Sequence, residues 1–217
     1  MRYEVITFDC YGTLIDWEDG ITRAFRAAAN ESGVVLDDAA VLEAYAEIEP
    51  AVEAEAYRSY RAVLEESARQ IAERLGFALP ESGPAFLAES LGRWRPFPDT
   101  VPALERLARA GYTLGILSNV DDDLLAQTRM QLEVPFSVVV TAQQVRSYKP
   151  AHGHFLEAQR RIGDRRWLHA ARSLFHDIEP TRALGIGSAW IRRNSQESAP
   201  AGVATFDDLR GLAESLA

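Results

Sequence analysis

The sequence predicts an α/β protein in which a parallel sheet carries helices on both faces, with a helical segment inserted after the first strand. Short apolar β-type runs alternate with helical patterns beyond residue 96, and this alternation is typical of a parallel sheet. Residues 16–95 contain almost no β-type run and repeat their apolar residues at helical spacing. The chain therefore predicts a core of residues 1–15 and 96–217 and a helical domain of residues 16–95.

The first predicted strand, Glu4–Phe8, ends on the carboxylate of Asp9 and leads into the helical insert. Within the insert, Pro50 is expected to end or kink a helix, because proline lacks the backbone N–H of a helical residue. Residues 78–84 are predicted as a loop between helices. The proline-rich residues 95–99 are predicted to return the chain to the core.

The remaining core elements follow in strict alternation. The predicted strands are Tyr112–Leu117, Phe136–Val140, Ser173–Phe175 with the upstream Ala170–Ala171, and Ser188–Ile191. The predicted helices are Val101–Ala110, Asp122–Leu132, His154–Ile162 and Glu179–Leu184. Gly111 and Gly163 follow two of these helices in the position of a C-cap.

Composition narrows the classes of partner. The net charge is −9, which argues against nucleic acid or an anionic membrane surface. The first residues carry no long apolar segment of the kind found in signal peptides, and no apolar run is long enough to span a bilayer. The single cysteine, Cys10, excludes an internal disulfide and suits a reducing cytoplasm. These features predict a cytoplasmic protein whose partner is neither nucleic acid nor a membrane.

The lysine and histidine content of the chain bears on its chemistry. Of the 23 lysines and arginines, only Lys149 is a lysine, and a compact ammonium differs chemically from a guanidinium. The four histidines show no zinc-ligand spacing. His152 and His154 are expected to be solvated in a polar turn.

Polar residues follow each predicted strand, where the carboxyl ends of a parallel sheet form a common edge. They are Asp9 and Thr13 after the first strand, Ser118 and Asn119 after the second, Lys149 past the third, and Ser173 and Asp177 around the fourth. Two carboxylates, one ammonium and several hydroxyls can activate a covalent nucleophile. Each residue also has a simpler interpretation as a turn residue, a helix cap or a solvated side chain.

Four ordered motifs resemble those of the haloacid dehalogenase superfamily of hydrolases. They are the segment Asp9–Leu14 (DCYGTL), Ser118 in LGILSN, Lys149 in SYKP, and Ser173 and Asp177 in SLFHDIEPTRALGI. The resemblance covers essentially the whole chain. It implies a Rossmann-like core, Asp9 as the nucleophile, and a cap domain formed by the helical insert.

Tyr11 indicates the bond to be attacked. In the superfamily that the sequence resembles, most members are Mg²⁺-dependent phosphatases with an acidic aspartate at this position. Tyrosine, with a pKa of about 10, is a poor acid near neutral pH. A halide leaves without a proton, and the DxYGT motif is similar to that of the L-2-haloacid dehalogenase branch.

The resemblance implies a mechanism and a role for each residue. Asp9 attacks the halogen-bearing carbon, and water hydrolyses the resulting ester with help from Asp177. Lys149 keeps Asp9 ionised, and Tyr11 forms a wall of the halide pocket. The residues implied to hold Asp9, Lys149 or the substrate by hydrogen bonds are Thr13, Ser118, Asn119 and Ser173.

The sequence departs from the branch at two places. No residue matches the cap arginine that holds the substrate carboxylate, so Arg58 and Arg61 are the candidates, against the simpler interpretation that they form surface ion pairs. Leu174 stands where the branch tends to have asparagine. No cofactor is expected, with Mg²⁺ held by Asp9, the Tyr11 backbone and Asp177 as the alternative.

Three functions stay open at this stage. They are a 2-haloacid dehalogenase, a Mg²⁺-dependent phosphatase acting on a small metabolite, and a non-catalytic binding protein on the same fold. The family resemblance also suggests a homodimer.

Overall fold

The computed structural model describes residues 3–198 and 200–217. Its strands, in chain order, are β1 (Val5–Phe8), β2 (Thr113–Ser118), β3 (Val138–Thr141), β4 (Trp167–Ala171), β5 (Gly187–Ile191) and β6 (Ala204–Phe206). Its α-helices are α1 (Trp17–Glu31), α2 (Asp38–Glu53), α3 (Tyr60–Leu75), α4 (Phe86–Ser90), α5 (Thr100–Arg109), α6 (Asp122–Arg129), α7 (Ala142–Val145), α8 (Gly153–Ile162), α9 (Glu179–Ala183) and α10 (Leu209–Leu216). Short 3₁₀ turns at Gly83–Ala85 and Leu91–Arg93 flank α4, and a π-helical turn at Leu174–Ile178 precedes α9.

The described residues form two compact units. The sheet unit contains the chain up to Asp16, Pro96–Asn119 and Arg129–Ala217. The helical unit contains Trp17–Arg95 and Val120–Thr128. The segment 120–128, which the sequence assigns to the core, thus groups with the helices.

The sheet unit is built on a parallel sheet whose described strands run in the order β3-β2-β1-β4-β5-β6. Phe8 is in register with Ile116 on one side and with Ala170 on the other. All four residues of β1 are buried, as expected for a central strand covered on both faces. The strand order reverses between β1 and β4, and the carboxyl ends of strands at such a point commonly form a binding crevice.

Helix α8 shows how the sheet is covered. Phe155, Ala158 and Ile162 recur at helical spacing and join a buried cluster with Val5 and Leu117 of the sheet. Fully burying an apolar side chain of this size contributes roughly 1.5–3 kcal/mol to stability. This packing holds α8 against β1 and β2.

The helical unit is held by caps and aromatic contacts. The Asp121 carboxylate accepts hydrogen bonds from the backbone N–H groups of Tyr60 (3.0 Å) and Arg61 (2.9 Å) at the start of α3, where an anion is favourable. Phe25 packs edge to face against Phe77 and Phe86. The bonds of Asp121 explain why the segment after β2 groups with the helices.

The α/β fold predicted from the sequence is confirmed, with three local differences. The prediction of Ser173–Phe175 as strand is wrong, because this segment leads from β4 into the π-helical turn. Helix α2 continues through Pro50 to Glu53, so Pro50 does not end it, and the alternative of a kink stays a prediction. The sequence did not predict α7, β6 or α10, which are short. Among the described residues, no helix combines the length and apolar character needed to cross a membrane.

Candidate active site

The turn after β1 fixes the carboxylate of Asp9. Gly12 has φ +93°, a left-handed conformation that side chains with a Cβ rarely adopt. The turn brings the Thr13 hydroxyl to Asp9, where it donates to Oδ2 over 2.9 Å. The same hydroxyl accepts a hydrogen bond of 2.9 Å from the backbone of Arg172, just past β4. One oxygen of Asp9 is therefore tied to the two central strands.

Lys149 joins the two carboxylates predicted at this edge. Its ammonium donates to Asp9 Oδ1 over 2.9 Å, to Asp177 Oδ1 over 2.6 Å and to the carbonyl of Leu117 over 3.0 Å. An ammonium has three protons, so each one has an acceptor. Only 2% of the Lys149 side chain is exposed, against 13% for Asp9, which leaves Asp9 as the more accessible of the two.

Asn119 holds the backbone of Lys149. Its side-chain oxygen accepts from the Lys149 N–H over 2.7 Å, and its amide nitrogen donates to the Lys149 carbonyl over 3.1 Å. Both ends of this amide therefore bind the segment that carries the ammonium. Its neighbour Ser118 lies at the end of β2 with a buried hydroxyl that makes no hydrogen bond in the described part of the chain.

The π-helical turn places Asp177 in the interior, where 1% of its side chain is exposed. The Ser173 hydroxyl accepts from the backbone N–H of His176 over 3.0 Å and lies 3.1 Å from its ring Nδ1. Ser173 thus caps this turn. Single turns of π-helix are rare and occur frequently at functional sites.

Asp9, Lys149 and Asp177 form a triad in which Lys149 and Asp177 stabilise each other's charged forms. Burial lowers the pKa of Lys149, but the charges of Asp177 and Asp9 outweigh it and raise that pKa above its ordinary value. Burial raises the pKa of Asp177, but the Lys149 charge and a hydrogen bond from His169 lower it below the usual range of a carboxyl group. An ammonium between two carboxylates satisfies all three groups in a place where an unpaired charge would be costly.

Two histidines near the triad were not predicted from the sequence as part of the site. His154 is fully buried, and its Nε2 donates to the carbonyl of Ser118 over 3.1 Å. Burial, reinforced by the charge of Lys149, lowers the pKa of His154 to about 3, so the ring is neutral. The expectation that His154 is solvated is wrong; its helical spacing from Ala158 and Ile162 was the available signal. The second residue, His169, lies in β4 with Nε2 3.0 Å from Asp177 Oδ1.

The remaining predicted residues do not join the triad. Arg58 is ion-paired with Glu55, and Arg61 is ion-paired with Asp123 at 2.6 Å, all within the helical unit. Both arginines therefore have acidic partners, in line with the simpler interpretation of surface ion pairs. Tyr11 lies half-buried in the turn after β1, two residues after Asp9 in the chain.

The donor set can be tested for a divalent ion. Among residues 3–198 and 200–217, no three His, Cys, Asp or Glu side chains are grouped so as to hold a metal ion. The two carboxylates present, Asp9 and Asp177, each bind the ammonium of Lys149 through Oδ1. Two carboxylates are few ligands for a tightly held metal ion, although Mg²⁺ often binds one or two protein carboxylates and keeps several waters. Mg²⁺ stays the alternative that an EDTA control tests.

Comparison with known proteins identifies the same hydrolase superfamily that the sequence motifs resemble. A family model described as haloacid dehalogenase-like hydrolase matches residues 3–190. The (S)-2-haloacid dehalogenases of Pseudomonas putida and Pseudomonas fluorescens are 25% identical to the chain over 142 residues, or 64% of its length. That match spans 63% of the length of each of these relatives.

Solved structures extend the likeness to the whole fold. The crystal structure of the L-2-haloacid dehalogenase PA0810 has a TM-score of 0.86 at 24% identity and covers 99% of this chain and 98% of that one. The defluorinating L-2-haloacid dehalogenase Rha0230 has a TM-score of 0.85 at 25% identity, with 99% and 95% covered.

Proposed function

Because this chain belongs to the haloacid dehalogenase-like hydrolases, we propose that it hydrolyses the carbon–halogen bond of short 2-haloacids. One observation carries the proposal. The carboxylate of Asp9 is bound on one oxygen by Lys149 and on the other by Thr13. A partly exposed carboxylate held in this way supports a role for Asp9 as a covalent nucleophile over a role in a purely structural ion pair.

The proposed reaction has two steps. In the first, an oxygen of Asp9 attacks the halogen-bearing carbon, an ester bond forms, and the halide leaves with the electron pair of the broken bond. In the second, water attacks the carbonyl carbon of that ester. The Asp9 carboxylate is restored as one proton of the water passes to Asp177 and then to solvent, and the other protonates the oxygen of the departing 2-hydroxyacid.

Tyr11 supports a halide over a phosphate ester as the substrate. An alkoxide leaving group needs a proton, and a tyrosine hydroxyl with an ordinary pKa of about 10 supplies one poorly near neutral pH. A halide needs none. Tyr11 follows the nucleophile by two positions, so its ring is our candidate for a wall of the pocket.

The relatives support the same substrate class. The curated proteins that match are haloacid dehalogenases by name, although the match covers only part of their length. The acidic net charge and the single, buried cysteine also support our proposal of a cytoplasmic enzyme acting on a free small molecule.

A paired release assay tests this function. Purified protein is incubated with 2-chloro-, 2-bromo- and 2-fluoro-acids and, separately, with sugar and nucleotide phosphates, each with and without EDTA. We expect halide release that EDTA leaves unchanged. The proposal fails if no haloacid yields halide, and phosphate release abolished by EDTA favours a Mg²⁺-dependent phosphatase instead.

Two variants assign the nucleophile. Asp9→Asn should abolish turnover, whereas Asp164→Asn, which changes an exposed carboxylate of the sheet unit, should leave it intact. Intact-protein mass spectrometry of the quenched wild-type reaction should find an ester on Asp9. Substantial turnover by Asp9→Asn would mean that another group is the nucleophile. A protein that neither releases product nor forms the ester would be a binding protein on this fold.

A further inference from the structure

A line of hydrogen-bonded side chains runs from Trp167 through Thr7 and His169 to Asp177. Thr7 of β1 and His169 of β4 are register partners, and both are fully buried. The Thr7 hydroxyl lies 2.8 Å from His169 Nδ1, and His169 Nε2 lies 3.0 Å from Asp177 Oδ1. The indole nitrogen of Trp167 donates to the same threonine hydroxyl over 2.7 Å.

The chemistry of the end groups fixes the direction of this line. The indole N–H of Trp167 can only donate, and an ionised Asp177 can only accept. His169 Nε2 must therefore carry a proton. The Thr7 hydroxyl accepts from Trp167 and has one proton left, which it can donate to His169 Nδ1.

A neutral His169 with its proton on Nε2 satisfies every group in the line. A doubly protonated ring would make Thr7 accept twice and leave the hydroxyl proton of Thr7 without an acceptor in this network. The ring also packs edge to face against Phe155, with the ring centroids 5.5 Å apart, which is an apolar neighbour for a buried charge. The hydrogen-bond partners of the line are therefore all satisfied when Nε2 carries the proton and Nδ1 accepts from Thr7.

The two oxygens of Asp177 have different surroundings. Oδ1 binds both Lys149 and His169. Oδ2 is buried and makes no hydrogen bond within the part of the chain that the structure describes. Buried polar atoms are nearly always paired, and exceptions occur at catalytic centres. With Oδ1 held twice, Oδ2 is the oxygen left to accept from a reacting molecule.

We infer that His169 is a positioning residue for ester hydrolysis, and that it holds Asp177 through Nε2 so that Oδ2 receives the proton of the attacking water. This inference rests on the proposed function. When Asp9 becomes an ester it loses its negative charge, and Asp177 remains as the one carboxylate on Lys149. A second fixed donor on Oδ1 then keeps Asp177 from turning, so His169 matters more in the second step than in the first.

Single-turnover kinetics test the inference. In His169→Leu the donor is lost, and in His169→Gln a side-chain amide restores a donor of similar reach. With 2-chloropropionate, we expect His169→Leu to keep a halide burst close to that of the wild type. We expect its steady-state kcat to fall by roughly 10- to 100-fold, the range seen when a group that orients a reacting residue is removed. Mass spectrometry should then find the Asp9 ester accumulating, and His169→Gln should recover most of the loss.

A variant of Thr7 provides an independent test if His169→Leu does not fold. Thr7→Val has nearly the same shape but frees Nδ1, so the ring can take either tautomer; it should also accumulate ester. Thr113→Val, a half-buried threonine at the start of β2, is the matched control and should behave as wild type. Equal losses of burst and steady-state rate without ester accumulation would overturn the inference, as would unchanged turnover. A wild-type protein that forms no ester on Asp9 would instead overturn the proposed function, and this inference with it.

Discussion

The ammonium of Lys149 donates a 2.9 Å hydrogen bond to Asp9, although 140 residues separate them in the chain. The contact exists because Asp9 follows the central strand, whereas Lys149 is held beside the end of the neighbouring strand by Asn119. The same ammonium reaches Asp177 past β4. One buried cation therefore gathers groups from three parts of the sheet edge.

Replacing Lys149 should cost both stability and activity. In Lys149→Met, Asp9 and Asp177 lose their shared cation, and an uncompensated buried charge destabilises by about 3–5 kcal/mol. Lys149→Arg should not rescue activity, because a larger planar group must fit where only 2% of the side chain is exposed. Urea unfolding and halide release measure the two effects. Arg210→Met, at an exposed position, is the control, and a Lys149→Met protein as active as that control would contradict the prediction.

A second buried ion pair should support the turn that carries the nucleophile. Arg193 donates to Asp99 Oδ1 over 2.6 Å and to the carbonyl of Thr13 over 2.5 Å, with its guanidinium 4.0 Å from the centre of the Phe97 ring. Both ends of the pair are 7% exposed. Arg193→Met leaves Asp99 buried without its partner, so we expect a loss of about 3–5 kcal/mol in the free energy of unfolding.

The neighbouring residue supplies the control for that change. Arg192 pairs with Asp207 at 2.5 Å, but the two side chains are 47% and 78% exposed. Exposed pairs of this kind contribute about 0–1 kcal/mol, so Arg192→Met should unfold at nearly the wild-type urea concentration. If both variants shift the midpoint equally, the buried contacts of Arg193 do not stabilise the turn.

Changing Tyr11 should alter the reaction that the site favours. Tyr11→Asp adds a carboxyl group that can protonate a leaving alkoxide and attract a divalent ion. We expect slower halide release and a higher rate of phosphate release in the presence of Mg²⁺. Tyr11→Phe keeps the ring and is the matched control, so it should retain dehalogenation. Assays in which Tyr11→Asp leaves both rates unchanged would show that this side chain does not set the leaving group.

The grouping of the site residues was predictable, because they follow strands whose carboxyl ends lie at one edge of a parallel sheet. The positions of Asp9, Lys149 and Asp177 in the chain were sufficient to predict that their side chains meet. The role of Asn119 was less predictable. Its amide binds the Lys149 backbone on both sides, and no local pattern indicates which distant loop an asparagine will hold.

Other features depend on register or on local geometry that the pattern does not carry. His169 meets Thr7 because β1 and β4 pair in one register, and the sequence does not specify a register to one residue. Ser173–Phe175 has β-type composition, but the Ser173 hydroxyl caps a helical turn. Helix α2 continues past Pro50 because tertiary packing can outweigh the intrinsic preference of one residue.

The helical unit should show a pH-dependent stability that originates at Glu49. Tyr60 donates to Glu49 Oε1 over 3.0 Å, and the hydroxyls of Tyr45 and Tyr60 lie 3.2 Å apart. Burial raises the pKa of Glu49 from 4.5 to about 7, although the hydrogen bond from Tyr60 lowers it in part. Burial and the nearby charges of Glu49 and Glu53 also raise the pKa of both tyrosines, so their hydroxyls remain donors.

The sign of the effect follows from the direction of the shift. Folding favours the protonated form of Glu49, so its contribution to stability is complete below pH 4.5 and is lost as the pH rises through about 7. Glu49→Gln carries no charge and keeps an acceptor for Tyr60. It should flatten the pH dependence between about pH 5 and 8 and stabilise the protein at pH 8 by about 1–2 kcal/mol, after allowance for the partial exposure of this side chain.

Urea unfolding at closely spaced pH values from 5 to 8 measures this dependence. Glu43→Gln removes an exposed carboxylate from the same helix, so it changes the net charge equally without changing the half-buried Glu49. Its curve should parallel that of the wild type, whereas the Glu49→Gln curve should be flat. If the two variants give the same slope, the pH dependence arises from overall charge and not from the carboxyl group beside Tyr60.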